Sequence, residues 1–235
     1  MADSNRLVWD ETGKRFYETG SKQGVLYLQD ETGKYGTGVA WNGLSKVTES
    51  PDGAEESPIY ADDQTYLSLV SAENEKGTIE AYTYPDDFAK ADGSSTPVAG
   101  VTVGQQTRRA FGFSWRTIKG NDTANEDYGY KLHIVWNAKV QPSEREYESV
   151  NDSPSAITFS WDFTTTPVPV SAKDADGTSI KPTSVMTLDS TIVGDEGMKA
   201  VEDLLYGTDE KEASLPTIDE VINAVKSASK PNPGK

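Results

Sequence analysis

The chain has 235 residues, no cysteine, one histidine and a formal net charge of −16. That length allows one large domain, or a domain with a small appendage. The missing cysteines exclude disulfides and thiolate metal sites, and the charge repels free nucleic acid, which excludes a DNA-reading module. Five tryptophans and eleven tyrosines supply the bulk for a sizeable core. No apolar run reaches the ~20 residues of a membrane helix. The opening Met-Ala-Asp-Ser-Asn-Arg lacks the apolar region of a secretion signal, so the expected place of synthesis and residence is a cytoplasm.

Residues 1–37 are polar and turn-rich and read as an N-terminal arm. Asp10-Glu-Thr-Gly-Lys recurs as Asp30-Glu-Thr-Gly-Lys, beside the short apolar runs Leu7-Val8-Trp9 and Val25-Leu26-Tyr27-Leu28. Asp and Gly favour turn geometry, which predicts two loop tips. Neither copy is a phosphate loop, because the upstream glycine and the following Ser/Thr are absent. From Gly38 to Glu49 a strand is expected with Val39 and Trp41 inward, interrupted at Asn42-Gly43 by a bulge or a tight turn. Residues 50–64, acidic and broken by Pro51, Gly53 and Pro58, read as an excursion from the sheet. Its acids Glu55, Glu56, Asp62 and Asp63 are expected to be solvated rather than metal ligands. Strand patterning resumes over 65–72 and 78–84, with Leu67, Leu69, Ile79 and Ala81 expected in the core. Pro85-Asp86-Asp87-Phe88-Ala89-Lys90 predicts a short helix, proline suiting its opening position.

The strongest patterning lies between Thr107 and Thr166. Phe111, Phe113 and Trp115 alternate with Ala110, Gly112, Ser114 and Arg116. Tyr130, Leu132, Ile134, Trp136 and Ala138 alternate with Lys131, His133, Val135, Asn137 and Lys139. Ile157, Phe159, Trp161 and Phe163 alternate with Thr158, Ser160, Asp162 and Thr164. A period of two places successive side chains on opposite faces, so these are three antiparallel strands with an aromatic face each. Residues 120–127 and 141–152 are polar loops, and Asn121-Asp-Thr matches a glycosylation acceptor only by composition. Pro167 and Pro169 end the sheet. Asp174-Ala-Asp-Gly reads as a turn, since it lacks the closing bidentate glutamate of a calcium loop. A last strand is expected over 184–191. Two helices follow, 195–206 with Met198, Val201, Leu204 and Leu205 in a stripe, and 218–227 opened by a Thr217–Glu220 capping box. Residues 228–235 read as a loose tail.

The sequence offers no enzyme chemistry: there is no nucleotide loop, no Gly-x-Ser-x-Gly turn and no triad around His133, which as a lone strand histidine is expected at a surface or interface. No cofactor and no metal is expected.

Several stretches, in order, resemble the major tail (tail tube) protein of long-tailed phages of Gram-positive bacteria. They are Gly38-Val-Ala-Trp-Asn-Gly-Leu, Ala61-Asp-Asp, Ile79-Glu-Ala-Tyr-Thr-Tyr-Pro-Asp-Asp-Phe, Gly104-Gln-Gln-Thr-Arg-Arg-Ala-Phe-Gly-Phe, Gly120-Asn-Asp-Thr, Gly129-Tyr-Lys-Leu-His and Asn151-Asp-Ser-Pro-Ser-Ala-Ile-Thr-Phe-Ser-Trp. The resemblance spans roughly Leu7 to Gly207. It implies an antiparallel β-sandwich or barrel over 38–170 with a flanking short helix and extended loops, while the two helices read from the residues within 171–227 depart from that family core. It implies a structural virion protein whose hexameric rings stack into a hollow tail tube that conducts DNA without binding it specifically. The implied partners are further copies of the chain, a tape-measure protein, a tail terminator and baseplate or tail-tip proteins, with assembly in the host cytoplasm and no membrane. The tube of a contractile tail or injection machine, and a virion decoration or host-binding module, remain as alternatives. On this reading Glu80, Lys131, His133, Asn137, Lys139, Thr158, Ser160 and Asp162 are expected to face the lumen, although Arg116, Lys131 and Lys139 make such a lining mixed in charge. Trp9, Asp10, Tyr17, Asp52, Glu55, Glu56 and Tyr60 are expected at ring-to-ring contacts, so that deleting residues 2–20 removes tubes but not the fold.

Overall fold

A computed structural model describes residues 6–71, 73–149 and 155–228. The expectations for the tail 229–235 and for Asn151 to Pro154 lie outside the described residues. The fold is mainly antiparallel β. Its strands, in chain order, are β1 (Phe16–Leu28), β2 (Val39–Trp41), β3 (Leu44–Glu49), β4 (Glu56–Ala61), β5 (Gln64–Val70), β6 (Lys76–Ala81), β7 (Ser95–Val98), β8 (Val101–Val103), β9 (Phe111–Asn121), β10 (Asn125–Val140), β11 (Phe159–Thr165) and β12 (Val185–Asp189). The helices are α1 (Ser190–Val193), α2 (Asp195–Leu205) and α3 (Ile218–Ala228), with a 3-10 turn at Asp86–Lys90.

The main sheet runs β2-β1-β9-β10-β11-β6-β3, with β12 beside the first half of β10. All six pairings along that path are antiparallel. An even number of reversals gives β2 and β3 the same direction, and only Asn42-Gly43 separates them. They are therefore two halves of one bent strand, kinked where Gly43 takes φ 74, and that strand closes the sheet on itself by pairing with β1 on one side and β6 on the other. Of the bulge and the tight turn expected at Asn42-Gly43, the two residues form a turn.

The rolled sheet encloses an aromatic interior. Phe111, Phe113, Trp115, Trp161, Phe163, Trp41, Leu26 and Ile79 meet there, and Phe88 from the 3-10 turn plugs it, 4.6 Å from Trp41 and 5.0 Å from Trp161 between ring centroids. The expected apolar faces of β9 and β11 are this interior. Ile157 precedes β11 and is exposed.

Strands β1, β9 and β10 are buried on their other face too. Val25, Tyr27, Leu132, Ile134 and Trp136 pack against Met198, Val201, Leu205, Leu215, Ile218 and Val221. Two aromatic tips fix this layer, since Tyr27 Oη donates to the Leu205 carbonyl at 2.7 Å and Trp136 Nε1 to the Pro216 carbonyl at 2.8 Å. Arg116 forms an ion pair with Glu202 of α2 and lies 4.2 Å over the Tyr130 ring. The Thr217–Glu220 capping box forms as expected, with Thr217 N–H donating to Glu220 Oε2 at 2.7 Å and Glu220 N–H to Thr217 Oγ1 at 3.2 Å.

Four expectations change. Residues 16–28 are a central strand, not part of an arm. Their first half is polar because it lies in an exposed ribbon with the ends of β9 and β10. Residues 65–71 do not rejoin the sheet: β4 and β5 form a separate hairpin, leaving Leu67 and Leu69 39 % and 57 % exposed instead of in the core. Ala138 does not share a face with Trp136, because Asn137 adopts φ 51 in a bulge that turns Ala138 and Val140 into the aromatic interior. His133 is not a surface residue. It is 9 % exposed and stacked on Trp115 at 4.9 Å, with Nε2 3.0 Å from Thr117 Oγ1.

Closure of the barrel leaves no room at Gly77, where an added Cβ would lie 2.4 Å from the Thr48 carbonyl oxygen and 2.6 Å from the Phe163 ring. Gly77→Ala is expected to destabilise the protein by about 1–3 kcal/mol through overpacking, read from the urea unfolding midpoint.

Candidate functional site

Strand direction sorts the connections into two ends. One end holds residues 6–15 before β1, the described parts of the β3-to-β6 connection (50–71 and 73–75), the β9–β10 turn and the start of the chain after β11. The opposite end holds the connections β1-to-β2 (29–38) and β6-to-β9 (82–110) and the described parts of β10-to-β11 (141–149 and 155–158).

At the first end two apolar arms stand in solvent. Leu7, Val8 and Trp9 are 72 %, 67 % and 74 % exposed. They precede the first Asp-Glu-Thr-Gly-Lys tip, whose Gly13 N–H donates to Asp122 at 3.0 Å and ties it to the β9–β10 turn. The β4–β5 hairpin exposes Ile59, Tyr60, Tyr66, Leu67, Leu69 and Val70. Its tip, Asp62-Asp63, is left-handed at φ 50 and 59, the geometry of a tight two-residue hairpin turn. The whole connection 50–75 carries seven acids and no Lys or Arg. At its base, burial pushes the Glu75 carboxyl up, with help from the charge of Glu49 and Glu73, while Lys76 pairs with Asp52.

The opposite end is concave. Two adjoining clefts share Ser94, Gln106 and Arg108. Their cations are Lys90, Arg108, Arg109, Lys139 and Arg145, against the acids Asp30, Glu31 and Asp92. Arg109 reaches Glu31 at 2.9 Å, and Arg145 pairs with Asp92. Burial pushes the Asp92 carboxyl up, against the pull of Arg145 and Arg108. Beside the clefts the β7–β8 hairpin exposes Val98, Val101 and Val103.

Beyond the exposed ribbon of β1, β9 and β10, one strand layer of the barrel keeps an open polar face among the described residues. On β3, β6 and β11, Lys46, Thr48, Thr78, Glu80, Ser160 and Asp162 point away from the aromatic interior, while the outer face of β1, β9 and β10 lies under α2 and α3. The register brings Asp162 opposite Thr78 and Ser160 opposite Glu80. Thr78 Oγ1 donates to Asp162 Oδ1 at 2.6 Å, and Lys46 Nζ reaches Glu80 Oε1 at 3.1 Å.

The residues expected at a lumen therefore divide. Glu80, Ser160 and Asp162 share the open face, with Thr158 exposed just before β11 and exposed Lys139 in register with Thr164. Lys131 pairs with Glu18, His133 is buried, and Asn137 is spent on the bulge, its side-chain amide donating to the Thr166 carbonyl at 3.2 Å. The expected ring-contact residues Trp9, Asp10, Tyr17, Asp52, Glu55, Glu56 and Tyr60 are all exposed. All belong to the connections at the first end or to the start of β1, with Tyr17 lying over Gly120. The cationic clefts were not expected. Lys90, Arg109, Lys139 and Arg145 come from separate stretches of the chain, and only the Arg108-Arg109 pair gave a local signal. Among the described residues no cluster of acids or His fits a metal ion, and no helix is long and apolar enough to cross a membrane.

No protein-family model matches the chain. No curated protein matches it. Among solved structures it is similar to one described as the cryo-EM structure of an extracellular contractile injection system, a PVC sheath–tube complex in the extended state. The identity is 12 %, the match covers 77 % of this chain and 93 % of that one, and the TM-score is 0.29.

The exposed Lys46–Glu80 pair and the buried side of β6 are expected to contribute unequally to stability. Replacing both Lys46 and Glu80 by Ala is expected to change stability by less than about 1 kcal/mol. Ile79→Ala, on the buried side of the same strand, is expected to cost about 2–5 kcal/mol. Chemical denaturation of the two variants checks the contrast.

Proposed function

We propose that this chain is a non-enzymatic structural subunit that assembles with its own copies into the hollow tube of a phage tail, as hexameric rings stacked end to end. The observation that carries the reading is the β4–β5 hairpin. A two-stranded ribbon is marginal in water on its own, yet this one projects six large apolar side chains, 39–71 % exposed, from the end of a closed barrel. Exposed apolar surface of that kind marks a contact with another molecule. The arm at Leu7-Val8-Trp9 stands at the same end and adds to it.

The open face of β3, β6 and β11 is the proposed channel lining. It is polar, and it holds Glu80 and Asp162 in a chain of net charge −16. Such a wall lets DNA pass without adhering. The ordered resemblance to tail tube proteins supports the same reading and extends it to a tape-measure protein, a tail terminator and tail-tip proteins as partners, and to the virion as location. A sugar- or host-binding decoration module is less well supported, because four of the five tryptophans, Trp41, Trp115, Trp136 and Trp161, are interior.

Since β1 begins at Phe16, the informative truncation removes residues 2–9 and spares the strand. The truncated protein is expected to keep the wild-type circular dichroism spectrum and to lose tubes in electron micrographs. Tubes of normal length from it would overturn the role of the arm. A cryo-EM map of assembled tubes is expected to place Glu80 and Asp162 on the channel wall, and their appearance on the outer wall would refute the lining.

A further inference from the structure

We propose that the cationic cleft at one end of the barrel is the socket for the acidic β4–β5 tip of a second copy, so that subunits join head to tail. The inference rests on the tube reading and names the two surfaces that meet in it.

Three observations converge. The first is position. The strand directions put the base of the hairpin, where Asp52 pairs with Lys76, and the cleft, within 29–38, 82–110 and 139–145, at opposite ends of the same barrel. Unlike surfaces at opposite ends form a heterologous contact, which propagates from copy to copy instead of ending in a dimer. The second is charge. The connection 50–75 carries seven acids and no cation. The cleft reverses the sign of the chain as a whole, with Lys90, Arg108, Arg109, Lys139 and Arg145 against Asp30, Glu31 and Asp92. Complementary charge of this kind fixes register and rejects wrong pairings.

The third is a cation common to both halves of the cleft, since Arg108 lines each of them. The Arg108 side chain is held in place over Gly93. That glycine has φ 77, and a Cβ there would come within 3.1 Å of Arg108 Cγ and Cζ. Apolar surface follows the same pairing. Val98, Val101 and Val103 stand beside the cleft, and Ile59, Tyr60, Tyr66 and Leu67 flank the acidic tip. A hairpin of six to seven residues per strand reaches roughly 20 Å from its base.

The test reverses each side in the full chain. One variant carries Arg108→Glu and Arg109→Glu, the other Asp62→Lys and Asp63→Lys, with circular dichroism and thermal melting to confirm that both fold. Each alone is expected to raise the concentration needed for stacked assemblies by about tenfold or more, because like charges then face each other. An equimolar mixture restores assembly, since every junction in an alternating stack is again complementary. A second readout uses the absence of native cysteine. Asp63→Cys mixed with Gln106→Cys is expected to give a disulfide-linked pair that neither protein gives alone.

Normal stacking by either charge variant alone, or no cross-link in the mixture, overturns the socket while leaving the tube reading intact. A wild-type protein that forms no assembly at any concentration overturns the tube reading and the socket with it.

Discussion

Closure of the sheet by one bent strand is the constraint on which the rest depends. The kink at Asn42-Gly43 lets β2 pair with β1 and β3 pair with β6, so two long edges that would otherwise template aggregation satisfy each other. Closure also creates the aromatic interior, in which Trp41 of the bent strand touches Phe88, Phe113 and Trp161. Gly77 and Gly24 permit the close approach that this requires. With these two edges paired, the ends of the barrel and its polar face are the surfaces the proposed assembly uses.

The C-terminal helices decide which face that is. By covering Leu132, Ile134 and Trp136, and by binding the tips of Tyr27 and Trp136, they turn β1, β9 and β10 into a layer buried on both sides. Parallel sheets are usually the ones buried on both faces; here an antiparallel sheet is, which is why β10 reads Leu-His-Ile-Val-Trp with little polar alternation. The β3, β6 and β11 layer has no such cover and keeps strict alternation in β6, from Lys76 to Ala81. Only there does a period of two mean a wet face.

Much of this was legible in the chain. The aromatic faces of β9 and β11, the Phe88 helix, the capping box and both helical stripes follow from spacing alone. What spacing could not separate was burial in this molecule from burial against another. Leu67 and Leu69 alternate just as Ile79 and Ala81 do, but the first pair lies on an arm and the second in the interior. Nor could it reveal that Asn137 inserts a bulge, because asparagine tolerates left-handed geometry without requiring it. The polar opening of β1 hid a central strand, since its partners are the exposed ends of β9 and β10. The cationic cleft was invisible for a different reason. Its charges are assembled by topology from segments far apart in the chain, such as Asp30, Lys90 and Arg145.

The central claim is that a closed barrel with unlike, adhesive ends builds a conduit from its own copies. Negative-stain electron microscopy of the purified protein over a concentration series tests it most directly. Rings and long hollow tubes that lengthen with concentration are the predicted result. A protein that stays strictly monomeric at the highest concentration would contradict it.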